Sequence, residues 1–226
     1  GAFAPAARHD QVPSLRLLVS SISMRLDMGL YGTGAVLYLQ CPMGYSHRTT
    51  VLRMAIYAFG DRVPVIHETA FIHPDAVIIG SVEIGSESTI WAGAVLRGDD
   101  GFIKIGSRTS IQDNTVIHTT PMDGTTVGDD CVIGHIVHLE ACTIENGSQV
   151  SSGAIVLHRV RVGTGAIVAA NAVVLNDTIV PPGALAVGTP AVIKEGRARA
   201  EEIALGVAVY VDKGKRFAKE MRKISD

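Results

Sequence analysis

The chain of 226 residues has a formal net charge of −2, which gives no indication of a nucleic-acid or other polyanionic partner. Aromatic residues make up 5% of the chain and glycine occurs 24 times, a composition that favours many short strands with tight corners over a helical bundle. The three cysteines show no CxxC spacing, so we expect a reducing, cytoplasmic location without disulfides. No apolar run reaches the ~18 residues that a membrane helix needs.

Residues 1–53 differ in composition from the rest of the chain. They contain arginine but no lysine or glutamate, an acid-poor pattern that loosely resembles a transit peptide. Met54 opens a stretch that reads like a natural start. We therefore expect residues 1–53 to be an N-terminal extension that is non-native or poorly ordered.

Residues 54–193 carry an aliphatic residue at every sixth position, with a few interruptions. This period fits neither a helix nor a single strand, but it fits short flat strands joined by corners, each with one inward aliphatic side chain. The inward positions are Ile66, Ile72, Ile78, Ile84, Ile90, Leu96, Ile105, Ile111, Ile117, Val127, Ile133, Leu139, Ile144, Val150, Val156, Val162, Val168, Val174 and Val180. Three sides make a coil of about 18 residues, so the segment predicts an all-β solenoid, a parallel β-helix of roughly six stacked coils.

The six-residue register breaks at two places, residues 97–104 (RGDDGFIK) and residues 119–126 (TTPMDGTT). We expect loops at both places. Loops on a rigid scaffold commonly carry the function of a domain, so the residues beside these breaks are the first candidates for a site.

Residues 194–226 change to a helical period. Their hydrophobic stripe is spaced alternately four and three residues apart, at Ile203, Val207, Tyr210, Gly214, Phe217, Met221 and Ile224. This spacing predicts an amphipathic C-terminal α-helix, and we expect it to pack on the outside of the β-helix.

Histidines close to the two breaks form a candidate metal site. His118 follows an inward isoleucine, His138 and Glu140 flank an inward leucine, and His135 lies close to a corner, so all four point outward. Outward histidines grouped in this way favour a metal site over ordinary surface residues. One face of one coil cannot bring His118, His135 and Glu140 together, but a neighbouring subunit of a cyclic homotrimer can supply the missing ligand.

The motifs VLRGDDGFIKIG, SIQDNTVIH, VGDDCVIGH and VGTPAVI together resemble those of the γ-class carbonic anhydrases in the hexapeptide-repeat superfamily. The resemblance covers about residues 54–193. It implies a left-handed parallel β-helix of hexapeptide repeats, an exception to the usual right-handed crossover. It also implies a homotrimer with a metal, Zn2+ or Fe2+, at each interface, and hydration of CO2 to bicarbonate by a metal-activated hydroxide.

The resemblance also implies roles for single residues. Arg97 and Asp99 match an interface pair that holds the subunits of a trimer together. Gln112 matches a glutamine that orients the metal-bound water, and Asp113 matches a carboxylate of the same polar network. In that reaction Asp100 and Glu140 are outward carboxylates that can relay protons.

The metal ligands match the family only in part. His118 and His135 match two of three metal-binding histidines, which come from adjacent subunits, but Glu140 occupies the place of the third. Glu140 can itself be the third ligand, giving a His2Glu set. Alternatively His138 supplies the third nitrogen while Glu140 supports it, or the site is degraded.

Two other functions remain open. Many hexapeptide-repeat proteins transfer acyl groups from coenzyme A with a histidine base, and His158 or His138 can serve in that role. The chain can also be a non-catalytic trimeric scaffold, which the loss of the third histidine favours. Coenzyme A binding without metal would favour acyl transfer, and a metal-free protein that keeps its trimer would favour the scaffold.

Overall fold

The computed structural model describes residues 55–225 without a break and, before them, residues 18–19, 22–23, 26–31 and 34–39. The chain divides into two compact units, Gly1–Arg53 and Met54–Asp226.

The first unit contains two short antiparallel pairs. Strand β1 (Leu18–Val19) pairs with β2 (Ile22–Ser23), and β3 (Leu26–Tyr31) pairs with β4 (Gly34–Leu39). Most of residues 1–53 lie outside the described residues, so the expectation of a poorly ordered extension stays a prediction.

The second unit is a stack of short parallel strands followed by one helix. The strands are β5 (Ala55–Tyr57), β6 (Val65–Ile66), β7 (Phe71–Ile72), β8 (Val77–Ile84), β9 (Thr89–Ile90), β10 (Val95–Ile105), β11 (Ser110–Ile111), β12 (Val116–His118), β13 (Thr125–Val127), β14 (Val132–Ile133), β15 (His138–Glu140), β16 (Thr143–Ile144), β17 (Gln149–Val150), β18 (Ile155–Val156), β19 (Arg161–Val162), β20 (Ile167–Val168), β21 (Val173–Val174), β22 (Ile179–Val180), β23 (Leu185–Val187) and β24 (Val192–Lys194). The helix is α1 (Ala200–Glu220).

These strands form the three faces of a solenoid. An eight-stranded sheet, in the order β24-β23-β20-β17-β14-β11-β9-β7, makes one face, and all its pairings are parallel except that of β23 with β24. A twelve-stranded sheet makes the other two faces, because β8 and β10 are long enough to pass from one face to the next. The structure therefore confirms a β-solenoid of hexapeptide repeats, with about seven coils rather than the six expected.

The predicted inward positions form the core. All of them are buried except Ile66, which is partly buried and packs against the same core at its first coil. Each coil contributes too little apolar surface to fold alone, so the stability of the solenoid comes from stacking one aliphatic layer on the next.

The first break in the repeat is a bulge within a strand, not the predicted loop. In the β8–β10 ladder Gly98 pairs with Gly80 and Ile103 with Val82, so residues 99–102 stand opposite Ser81 alone. The backbones approach closely here: a Cβ on Gly80 would lie 2.4 Å from the carbonyl oxygen of Gly98. Residues 99–102 are half-buried or exposed, so the bulge lies on the outside of the solenoid. The second break is an irregular segment, residues 119–124, between β12 and β13.

Helix α1 covers the eight-stranded face. It contacts β7, β9, β11 and β14, and its Ile203 and Val207 are buried against Val132. Trp91 is buried under the helix, with its ring 5.0 Å from that of Phe217 and 5.8 Å from that of Tyr210. The amphipathic spacing thus places the apolar side of the helix on the sheet. Within the described residues, no helix is long and apolar enough to cross a membrane.

Candidate metal centre

Three polar residues stand in line on one face of the solenoid. Arg97 in β10 pairs with His118 in β12, and His118 pairs with Glu140 in β15. Neighbouring parallel strands lie about 4.8 Å apart, so residues in register on successive coils have adjacent side chains. The repeat therefore brings together residues that are a full coil apart in the sequence.

His118 lies between two carboxylates. Its Nε2 atom is 3.3 Å from Oδ1 of Asp99, and its Nδ1 atom is 3.3 Å from Oε1 of Glu140. The contact with Glu140 has hydrogen-bond geometry, whereas Nε2 and Oδ1 of Asp99 are buried without a hydrogen-bond partner among residues 55–225. A neutral imidazole carries one N–H, so donation from Nδ1 to Glu140 leaves the Nε2 lone pair facing a carboxylate oxygen. A cation between these two atoms would satisfy both of them.

Asp99 and Asp100 reach His118 from the bulge of β10. The Arg97 guanidinium donates to Oδ2 of Asp99, which leaves Oδ1 for His118. Burial acts to raise the pKa of Asp99, but the hydrogen bond from Arg97, a backbone hydrogen bond and the Arg97 charge together lower the pKa below its ordinary value. One ligand atom from each of Asp99, Asp100 and His118 lies within 4.8 Å of the others, so these residues can hold a metal ion.

Glu140 contacts three histidines. Oε1 faces His118, while Oε2 lies 3.1 Å from Nε2 of His138 and 3.5 Å from Nε2 of His158. Burial acts to raise the pKa of Glu140, but hydrogen bonds with His138 and His118 and the charges of nearby imidazoles outweigh it, so the pKa is lowered. The anionic carboxylate can therefore hold the His118 ring in one orientation, as carboxylates commonly do for metal-binding histidines.

His135 belongs to a separate contact. It lies in the turn after β14, and its Nδ1 atom is 2.9 Å from Oδ2 of Asp113, which occupies the corresponding turn one coil earlier. Gln112 precedes Asp113 and is buried. No hydrogen bond or ion pair joins this group to the His118 group within residues 55–225. Within one chain, the structure thus brings His118 and Glu140 together but leaves His135 elsewhere.

Two residues enter the site that the sequence did not place among the metal ligands or their supporting residues. Asp100 lies in the bulge, where the break in the repeat removed any register from which its position could be inferred. His158 lies in the turn after β18, one coil beyond Glu140. Because one coil has about 18 residues, the sequence could have predicted that His158 lies beside Glu140 on the next coil.

The chain is similar to known proteins along most of its solenoid. Residues 64–98 match the family model described as bacterial transferase hexapeptide (six repeats). Over 108 residues the chain is 40% identical to γ carbonic anhydrase 1, mitochondrial, of Arabidopsis thaliana, covering 45% of this chain and 39% of that protein. It is 36% identical to a carbonic anhydrase of Geobacillus kaustophilus, covering 48% of this chain and 59% of that one. The matches thus span about two fifths to three fifths of these relatives' lengths.

Solved structures match over a longer range. A putative acetyltransferase of Bacillus cereus is 32% identical with a TM-score of 0.71, covering 74% of this chain and 98% of that chain. A hexapeptide transferase family protein of Anaplasma phagocytophilum is 35% identical with a TM-score of 0.69, covering 73% and 99%. This chain therefore belongs to the hexapeptide-repeat superfamily of β-solenoids, and over slightly less than half of its length it is similar to γ-class carbonic anhydrases.

Proposed function

We propose that this protein is a metal-dependent carbonic anhydrase-like enzyme that hydrates CO2 to bicarbonate. The observation that carries the proposal is the buried pair formed by Nε2 of His118 and Oδ1 of Asp99, which face each other at 3.3 Å without a hydrogen bond. Unpartnered buried polar atoms are costly, and a cation would relieve that cost for both atoms at once.

His118, Asp99 and Asp100 would hold the ion. Zn2+ suits an imidazole with carboxylates, and Fe2+ is the alternative, although zinc binds such sites more tightly. The bound metal would supply Lewis-acid activation of water for attack on CO2. Arg97 keeps Asp99 in place, and Glu140 accepts the Nδ1 proton of His118 so that Nε2 remains free. In this proposal Glu140 supports a ligand instead of being the third ligand itself.

The proposal includes assembly into a homotrimer, in which His135 of a neighbouring copy approaches the His118 group. An exposed corner supports such contact. Ile136, next to His135, is 66% exposed and has φ of +59°, an unfavourable conformation for a β-branched residue. An exposed apolar side chain on an unfavourable backbone conformation is typical of surfaces that contact another molecule. Gln112 and Asp113 would then line the same interface with His135.

Metal content tests the proposal directly. Stripped protein is reconstituted with Zn2+ and the zinc bound per chain is measured for the wild type, Asp99→Ala/Asp100→Ala and His118→Ala, with His73→Ala as a control on another face. We expect the two site variants to bind one ion fewer than the wild type and the control to bind as many. We also expect CO2 hydration to fall with that ion. A wild type that binds no zinc, or site variants that bind as much as the wild type, would reject the proposal and favour a non-catalytic scaffold.

The second candidate function is acyl transfer from coenzyme A. It is favoured by the His138–Glu140 contact of 3.1 Å, which is the arrangement of a general base held by a carboxylate. The similar solved structures named as transferases also favour it. Calorimetry with coenzyme A on the metal-free protein separates the two functions. Binding of coenzyme A without metal would support acyl transfer, and its absence would count against it.

A further inference from the structure

Two buried threonine hydroxyls lie beside the Asp99–Asp100–His118 site, at the two ends of the second break in the repeat. Thr119 directly follows His118, and Thr125 begins β13 after the irregular segment. Both side chains are fully buried. A break in the repeat removes ladder partners from nearby backbone groups, and a buried hydroxyl can hydrogen-bond to such groups in their place.

The hydroxyl of Thr119 holds the bulge of β10. Its Oγ1 atom accepts the N–H of Gly101 at 3.0 Å, and Gly101 directly follows Asp100. Within residues 55–225 no ladder pairs the bulge with a neighbouring strand, so this hydrogen bond fixes a segment that the sheet does not hold. The packing is also close, because a Cβ on Gly101 would lie 3.1 Å from Cβ of Thr119. The bulge carboxylates therefore have a defined backbone position relative to β12.

The hydroxyl of Thr125 joins the coil of His118 to the coil of Glu140. Its Oγ1 atom donates to the carbonyl oxygen of His118 at 2.6 Å and accepts the N–H of Ala141, the residue after Glu140, at 2.8 Å. The direct contact between the N–H of Ala141 and the carbonyl oxygen of His118 is longer, at 3.4 Å. Thr125 thus supplies the shorter connection between these two backbones.

We propose that Thr119 and Thr125 are positioning residues for the metal centre. Thr119 holds the carboxylates of the bulge beside His118, and Thr125 holds the backbone of His118 at the coil of Glu140. Both act through the residues that would bind the ion, because a site has its full affinity only when its ligands are held near the geometry of the bound state. The inference rests on the proposed function, since it concerns the ion of that site.

Thr109 provides a matched control. Its buried hydroxyl donates to the carbonyl oxygen of Gly128 at 2.7 Å and accepts the N–H of Cys131 at 3.0 Å, as Thr125 does between its own two coils. Thr109 lies in the turn between β10 and β11, which carries none of the site residues. A change from threonine to valine keeps the shape of the side chain and removes the hydroxyl, so the variants at these positions all lose interior hydrogen bonds.

The experiment measures the Zn2+ affinity of the full, metal-stripped protein by competition with a chromogenic chelator. The ion of interest is the one that Asp99→Ala/Asp100→Ala loses. The variants are Thr119→Val, Thr119→Ser, Thr125→Val and Thr125→Ser, with Thr109→Val as the control. Co2+ absorption reports the geometry of the ligands in each variant, and the thermal unfolding midpoint of the metal-free protein verifies folding. An alanine variant replaces any valine variant that does not fold.

We expect Thr119→Val and Thr125→Val each to lower the zinc affinity by about 10–100-fold and to change the Co2+ spectrum, because the ligands lose their support. The two serine variants should keep the affinity and the spectrum of the wild type, since they retain the hydroxyl. Thr109→Val should also bind zinc as the wild type does.

The inference is overturned if either valine variant binds the ion as tightly as the wild type, or if the serine variants bind it as weakly as the valine variants. It is also overturned if Thr109→Val weakens binding as much as Thr119→Val does. In each of these cases the proposed function stands, because the wild type still binds the ion. A wild type that binds no ion at Asp99, Asp100 and His118 rejects the proposed function and the role of the threonines together.

Discussion

His118 and Glu140 are neighbours in one parallel ladder, and the Nδ1 atom of His118 lies 3.3 Å from Oε1 of Glu140. This contact determines which ring nitrogen remains for a metal, because a neutral imidazole has one proton to donate. Glu140 stands where the resemblance to γ-class carbonic anhydrases predicts a third metal-binding histidine. In this protein it contacts the ring of His118 and thereby directs Nε2 at Asp99.

Removal of the Glu140 carboxylate is expected to weaken metal binding without abolishing it. Loss of a carboxylate that orients a metal-binding histidine typically costs 10–100-fold in affinity. We expect Glu140→Ala to lower zinc affinity by about that factor, and Glu140→Gln to lower it less, because the amide oxygen still accepts the Nδ1 proton. Competition with a chromogenic chelator measures both affinities, with Glu83→Gln as an exposed control. Complete loss of the zinc ion held by Asp99, Asp100 and His118 in Glu140→Ala would instead make Glu140 a ligand of that ion.

The ionisation of Glu140 predicts a pH dependence of stability. Its pKa is lowered from 4.5 in the folded protein, so the ionised form stabilises the fold. This contribution is fully present above pH 4.5 and is lost as the pH falls through the lowered pKa. We therefore expect the difference in free energy of unfolding between the wild type and Glu140→Gln to shrink below pH 4.5, measured by urea unfolding at several pH values. A difference that grows on acidification would contradict the assigned direction.

Gly214 is expected to be required for close packing of α1. A Cβ at this position would lie 2.5 Å from Cγ2 of Thr89, and Thr89 is held by its hydroxyl contacts with Ser110 and Trp91. We expect Gly214→Ala to lower the free energy of unfolding by about 1–3 kcal/mol.

A matched control is Gly206→Ala in the same helix, whose Cβ would meet Val132 at 3.4 Å. We expect it to be neutral or to stabilise by up to about 1 kcal/mol, because alanine favours a helix over glycine. Adding Thr89→Ser to Gly214→Ala removes the obstructing methyl and should restore part of the stability. Equal effects of Gly214→Ala and Gly206→Ala in thermal unfolding would contradict this account of the packing.

The thiols of the solenoid interior are expected to be unreactive in the native state. Burial raises the pKa of Cys131 to about 11 and that of Cys142 to about 12, so both remain protonated near neutral pH. In a Cys41→Ser background, we expect a thiol reagent to label neither residue until the protein unfolds in denaturant. Rapid native labelling of either thiol, detected by mass spectrometry, would show that the coils open locally.

Ile136 is expected to lower the stability of the isolated chain. Its φ of +59° costs about 1–2 kcal/mol for a residue other than glycine or asparagine. We expect Ile136→Asn to raise the free energy of unfolding by about 1 kcal/mol and to weaken self-association, measured by sedimentation. If self-association is unchanged in Ile136→Asn, the corner at Ile136 is not part of the proposed trimer interface.

The sequence by itself determined the scaffold. One inward aliphatic residue in every six predicts short strands joined by corners. These strands form coils that must stack, because stacking is what buries the aliphatic side chains. The change to a helical period after the last coil likewise determined α1, because its apolar stripe needed a surface to cover. Even the outward direction of His118 and Glu140 followed from the alternation of side chains along a strand.

The tertiary structure alone decided which outward residues meet. The bulge of β10 has no counterpart in the repeat, so only the fold showed that Asp99 and Asp100 are turned toward His118. The convergence of His138 and His158 on Glu140 likewise depends on the register between coils and on the path of a turn. The physical reason is that the repeat determines the backbone position and the inward or outward direction of each side chain. The contacts of that side chain depend on residues of the neighbouring coils, which are a whole coil away in the sequence.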